Sequence, residues 1–181
     1  MNKLLLLGGA ALALGGAAPA FAQATGEVDV HGYVDDRCQF TSLGDTVIEL
    51  GEISGEDGKL DEAAVDAGTA TLQGWCNGSA STIGVEALPL LNAASASPSF
   101  ENRVDYRATA TAGSAAPIDD STDAGAGADV SLGLFSGDIV VDISNSASPS
   151  DGRMVAGDYV GSIVVTLTPN SSFGEQPPAG P

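Results

Sequence analysis

The residues of this chain that could do chemistry are two cysteines, Cys38 and Cys76, a single histidine, His31, and a large set of carboxylates. A serine or cysteine nucleophile needs a histidine held beside it in a formed pocket. His31 sits near a chain end, inside "VDVHGYV", and the chain has no G-x-S-x-G turn. The alternation around it reads as a solvent-facing position on an edge strand. Zinc takes four ligands, usually including a close-spaced pair, and two cysteines with one histidine do not supply them. The acidic runs "DEAAVD", "DDSTD" and "DGKLDE" offer oxygens for calcium, yet none matches an EF-hand loop. A glycosidase needs two carboxylates facing each other across a cleft, and no pair stands out among 24 acids. Sugar platforms are usually aromatic, and Trp75 is the only tryptophan. The expectation is therefore no catalytic residue, no metal ligand and no cofactor. A calcium-dependent or enzymatic module is the third-ranked reading.

The compartment decides what the cysteines do. Residues 1–22 read as a cleaved signal peptide: Lys3, the apolar run "LLLLGGAALALGGAA", then A-x-A sites ending at Ala22 and Ala24. The run is too short, and too rich in small residues at its end, for a membrane span. Cleavage after Ala22 leaves about 160 residues, enough for one domain with its own core. An even cysteine count in an exported chain favours a Cys38–Cys76 disulfide over two reactive thiols. Losing Lys3 leaves five bases against 24 acids, which takes the net charge from −18 to −19. Such a surface repels nucleic acid and anionic membranes, and excludes both as partners.

The elements that would position these residues are strands. "GEVDVHGYV" and "DTVIELGEI" open the series. "TATLQGWC" places Ala70, Leu72, Gly74 and Cys76 on one face, with Trp75 on the other. "STIGVEAL" presents Ile83, Val85 and Ala87, and "RVDYRATAT" presents Val104, Tyr106, Ala108 and Ala110. "DIVVDI" adds Ile139, Val141 and Ile143. "GDYVGSIVVTLTP" is the longest, with Tyr159, Ile163, Val165 and Leu167 sharing a face. Asn77-Gly78 is a strong turn pair that ends a strand at Cys76. "DEAAVDAG" allows one short helical turn, "TAGSAAPIDDSTDAGAGAD" reads as a long exposed loop, and residues 170–181 read as a disordered tail. Strands of this length with turns between them predict an all-β sandwich or barrel.

Three stretches in this order carry a family resemblance. They are "GYVDDRC" after an apolar opening strand, "LQGWCNGSAS", and the ending "MVAGDYVGSIVVTLTP". Together they resemble the exported subunits of chaperone–usher pili, in the branch related to spore coat protein U. The resemblance implies an immunoglobulin-like, pilin-type sandwich over residues 32–169 that lacks its final strand. It implies that a periplasmic chaperone and an outer-membrane usher are partners, and that like subunits join by strand exchange at the cell surface. Residues 23–31 would be the donor strand, with Val28 and Val30 entering a neighbour's groove. Tyr159, Ile163, Val165 and Leu167 would line the acceptor groove. Cys38, in the domain's first strand from Tyr33, would be bridged across the sheet to Cys76. The implied role is a structural subunit of a pilus, fimbria or coat, serving adhesion or biofilm formation. The alternative is a self-contained secreted or surface sandwich that binds through its loops, with the opening strand folded into its own sheet.

Overall fold

The computed structural model describes residues 25–41 and 46–170. The expected signal peptide, the first two residues of the expected donor and residues 171–181 of the expected tail lie outside them. The chain divides into two units, one ending at Tyr33 and one beginning at Val34.

In the first unit, residues 25–33 carry no strand pairing, and Val28 and Val30 are 85% and 90% exposed. The second unit is almost all β. Its strands are β1 (Cys38–Phe40), β2 (Thr69–Cys76), β3 (Thr82–Leu91), β4 (Phe100–Glu101), β5 (Arg103–Thr111), β6 (Ile118–Asp120), β7 (Val130–Ser131), β8 (Phe135–Ala147), β9 (Arg153–Met154) and β10 (Val160–Thr168). One short helix, α1 (Glu62–Asp66), falls where the helical turn was expected. The main sheet runs β1-β2-β8-β5-β3-β10, with β6 added to β5 and β7 added to β3. It closes into a sandwich-like or barrel-like form, and β4 and β9 make a separate parallel pair.

The inward parity of the long strands is the one their alternation dictates. Ile83, Val85, Val104, Ala108, Ala110 and Ile139 are all nearly or fully buried. Ala70, Leu72, Gly74 and Cys76 face inward, while Thr69, Thr71 and Gln73 face out. Trp75 is half-buried on the outer face of β2, opposite in parity to Cys76. The cysteines form the expected bridge, and they sit directly opposite each other in the β1–β2 ladder. Asn77 ends β2 and then holds the approach to β1. Its side-chain N–H donates to the Asp35 carbonyl at 2.9 Å, and its side-chain oxygen accepts from the Arg37 N–H.

Three expectations need correction. The domain's first strand does not begin at Tyr33: pairing starts at Cys38, and Tyr33 and Val34 are more than four-fifths exposed. "DTVIELGEI" makes no ladder over residues 46–52, although Ile48 and Leu50 pack on the core. Its apolar spacing is satisfied by burial alone, without a neighbouring backbone to pair. The acidic stretch 111–129 is not simply an exposed loop. It contains β6, and Ala112, Ala115, Pro117, Asp119 and Ser121 are buried. The reason is a gap in the sheet. β5 pairs with β3 only at the Leu90–Leu91 end and then crosses to β8. The exposed flank of β3 is covered by this segment: Asp119 accepts from the Ala87 N–H at 2.8 Å, and Gly127 donates to the Val85 carbonyl at 3.1 Å. A side chain here replaces a strand partner, which satisfies a buried donor.

Candidate functional site: an apolar groove along the last strand

β10 hydrogen-bonds to β3 from Ser162–Leu88 through Thr168–Thr82. Its other edge has no backbone partner among the described residues. β1, the strand at the opposite end of the sheet, comes close to β10, so the two end strands face one opening. Residues 46–52 run along that opening without pairing. Ile48 and Leu50 hold them down, seated over Gly68. A Cβ at Gly68 would lie 2.8 Å from Leu50 Cδ2 and 3.1 Å from Ile48 Cγ2, so the bare backbone makes the seat.

Between these segments lies a groove of about 540 Å³. Ile163 and Val165 of β10 form one wall. Phe40, Leu72, Val141 and Ile143 form the other wall and the floor, with Leu90 and Tyr106 behind them. Its lining is mainly hydrocarbon, and such an exposed apolar trough beside an unpaired edge is a liability that single domains normally avoid. A second, more polar hollow of about 600 Å³ continues past Leu50 and Gly161 toward Tyr159, with Glu49, Glu52 and Asp158 on its rim. Ser54 donates to Glu52 through its hydroxyl at 2.7 Å and its N–H at 3.0 Å, and these bonds hold the Glu52 carboxyl below its ordinary pKa.

The expected acceptor residues are therefore divided. Ile163 and Val165 line the groove. Tyr159 lines the adjoining hollow, where its hydroxyl lies 2.9 Å from the Glu101 carbonyl and 3.0 Å from that of Val155. Leu167 lies outside both, packed over Gly74, where a Cβ would approach its Cδ1 to 3.1 Å. Residues 46–50, Phe40, Leu72, Val141, Ile143 and Tyr106 were not anticipated as lining. Their inward parity was readable for the strand residues. The strand order that brings them to one opening was not.

Tyr106 ties the groove to the sheet. Its hydroxyl is 2.7 Å from the Leu88 carbonyl and 3.1 Å from that of Ser162, at the register shift where β10 bulges past β3. Burial raises its pKa from 10.0 to about 12. The fold holds the neutral phenol, so its contribution is complete below pH 10 and is lost as pH rises to about 12. Stability measured by denaturant titration should fall over that window. In Tyr106→Phe that part of the fall should be absent, and an identical pH slope in both proteins would count against the assignment.

Charge around the groove is one-sided. The five bases of the described residues each lie against an acid or a carbonyl. Arg103 is 2.6 Å from Asp105, Arg107 is 2.9 Å from Asp120, Lys59 is 2.7 Å from Asp151, and Arg37 is 3.8 Å from Asp35. Arg153 donates to the Asp57 carbonyl at 3.1 Å. The Asp120 hydrogen bond, then its charge, raises the pKa of Arg107. His31 is exposed, and the described residues hold no cluster of three or more histidine, cysteine or acidic side chains that could bind a metal. No helix among them is long and apolar enough to cross a membrane. What the site offers is an open backbone edge over a hydrocarbon trough. No protein-family model, curated protein or solved structure matches this chain.

Proposed function

We propose that this chain is a structural subunit of a surface filament or coat, joined to its neighbours by strand exchange. The observation that carries the reading is the unpaired edge of β10 running beside the apolar groove. A strand laid there would extend the sheet and drop alternate side chains into the trough, a recognised mode of peptide capture. The domain in this reading is a pilin-type sandwich without its final strand. The resemblance in "GYVDDRC", "LQGWCNGSAS" and "MVAGDYVGSIVVTLTP" supports the same conclusion.

The occupant is residues 23–31 of a second copy. Val28 and Val30 share a face and stand about 7 Å apart along an extended strand. Both are exposed in the isolated chain. Burying them contributes about 3–5 kcal/mol, and main-chain bonds to β10 add to it. Contacts of this head-to-tail kind propagate without closing, so they build a filament. Before assembly the open edge needs protection, which is the part a periplasmic chaperone plays before an outer-membrane usher passes the subunit outward. No catalytic step is involved, and the role is mechanical and adhesive.

Size analysis of the mature protein tests this directly. The chain from Gln23 should form concentration-dependent oligomers. A chain lacking residues 23–31 should stay monomeric and still bind a synthetic peptide of that sequence. A full-length monomer that never associates, and a truncated form that ignores the peptide, would instead favour a self-contained sandwich binding through its loops.

A further inference from the structure

We propose that seating the 25–31 segment of one copy in the groove of another is gated by ionic strength. The proposal rests on the strand-exchange reading and adds the regulation of that same site. In the segment, Glu27 and Asp29 alternate with Val28 and Val30. When the valines face the trough, the acids face the opposite way, away from it. The hollow that adjoins the trough carries Glu49, Glu52 and Asp158 on its own rim. Ser54 keeps Glu52 in its charged form. On β10 the outward residues beside the opening are Ser162, Val164 and Thr166, which bring no positive charge.

No cation compensates locally. Each described base is already held by a nearby acid or carbonyl, and none of them lines the groove or the adjoining hollow. At longer range the two partners repel as whole bodies, because without Lys3 the full sequence's formal net charge of −18 becomes −19 for each mature chain. That repulsion reaches about 30 Å at ~0.01 M salt and about 3 Å at ~1 M. Encounter and seating are therefore opposed in dilute salt and released when counterions screen the acids. The apolar part of the contact is present at every salt concentration.

The test is light scattering and size analysis of the mature chain at about 10 mM and about 1 M sodium chloride, beside the double variant Glu27→Gln/Asp29→Asn. Association of the natural chain should rise about tenfold or more across that range. The double variant should associate more than the natural chain at the lower concentration and lose part of the salt dependence, the rest coming from the remaining net charge. Equal association of the natural chain at both concentrations overturns the gating and leaves strand exchange standing. A variant that keeps the full salt dependence also overturns it. Failure of both chains to associate at any salt concentration overturns the strand-exchange reading, and the gating falls with it.

Discussion

Replacing Cys38 and Cys76 together by alanine is expected to lower the stability of the second unit by about 4 kcal/mol. The bridge closes a 38-residue separation, and the chain-entropy cost of leaving such a loop open is of that size. It is a large share of the about 5–15 kcal/mol that holds a domain together. The expected damage is also local. β1 is only three residues long and pairs with nothing but β2. Its Phe40 forms part of the groove wall. Without the disulfide, β1 keeps three residue pairs, the Asn77 clamp, the Thr41 N–H bond to the Gln73 carbonyl and the packing of Phe40. Urea titration of the double variant against the natural chain measures the global loss. Binding of the 23–31 peptide to a chain truncated before Gly32 measures the local one, and should weaken well below the denaturation midpoint. A stability change under about 1 kcal/mol would mean that pairing and packing alone secure β1.

The second large effect is a matter of parity on β10. Val165→Arg should abolish capture of the 23–31 peptide, with a loss of about a hundredfold or more. Val165 faces the trough and is only half-buried. The isolated domain can therefore let the guanidinium reach solvent and still fold. A seated strand would bury it without a partner, and that penalty exceeds the roughly 2.8 kcal/mol of a hundredfold change. The adjacent Val164→Arg serves as the control. Val164 points to the opposite face and is 44% exposed, so its change should alter capture little. Circular dichroism of both variants checks that they fold. Equal losses in the two would remove the groove from the mechanism and leave the strand edge alone.

What could be read from the sequence follows the strength of alternation. "RVDYRATAT" has an unbroken period of two, and all four inward residues, from Val104 to Ala110, are buried. The cysteine bridge was readable because two cysteines in an oxidised chain leave one pairing. The segment 46–52 was misleading for a physical reason. Val47, Ile48, Leu50 and Ile53 carry the composition of a strand, but a strand is a relation between two backbones. Burial of Ile48, Leu50 and Ile53 satisfies the apolar pattern without one. The acidic stretch after Thr111 was misleading in the other direction. Asp119 reads as a solvated loop residue, and it is buried because its carboxylate stands in for a missing ladder bond to Ala87. Nothing local announces that substitution. Ile163 and Val165 share the inward parity of one strand, and both line the trough. The opposite wall comes from β1, β2 and β8, which only the sheet order brings together.

That order also bears on how many neighbours a copy could take under the proposed strand exchange. The sheet path ends at β1 and β10, and both ends look onto the same opening. The flank of β3, which could have been another place to attach, is already closed by Asp119, Gly127 and β7. Under the proposed strand exchange, each copy therefore has a valence of one as a receiver and one as a giver. Units with that valence grow as unbranched threads. Asp119→Ala would remove only one of these three closures, so under the proposed strand exchange the flank should stay covered and light scattering should still report unbranched threads.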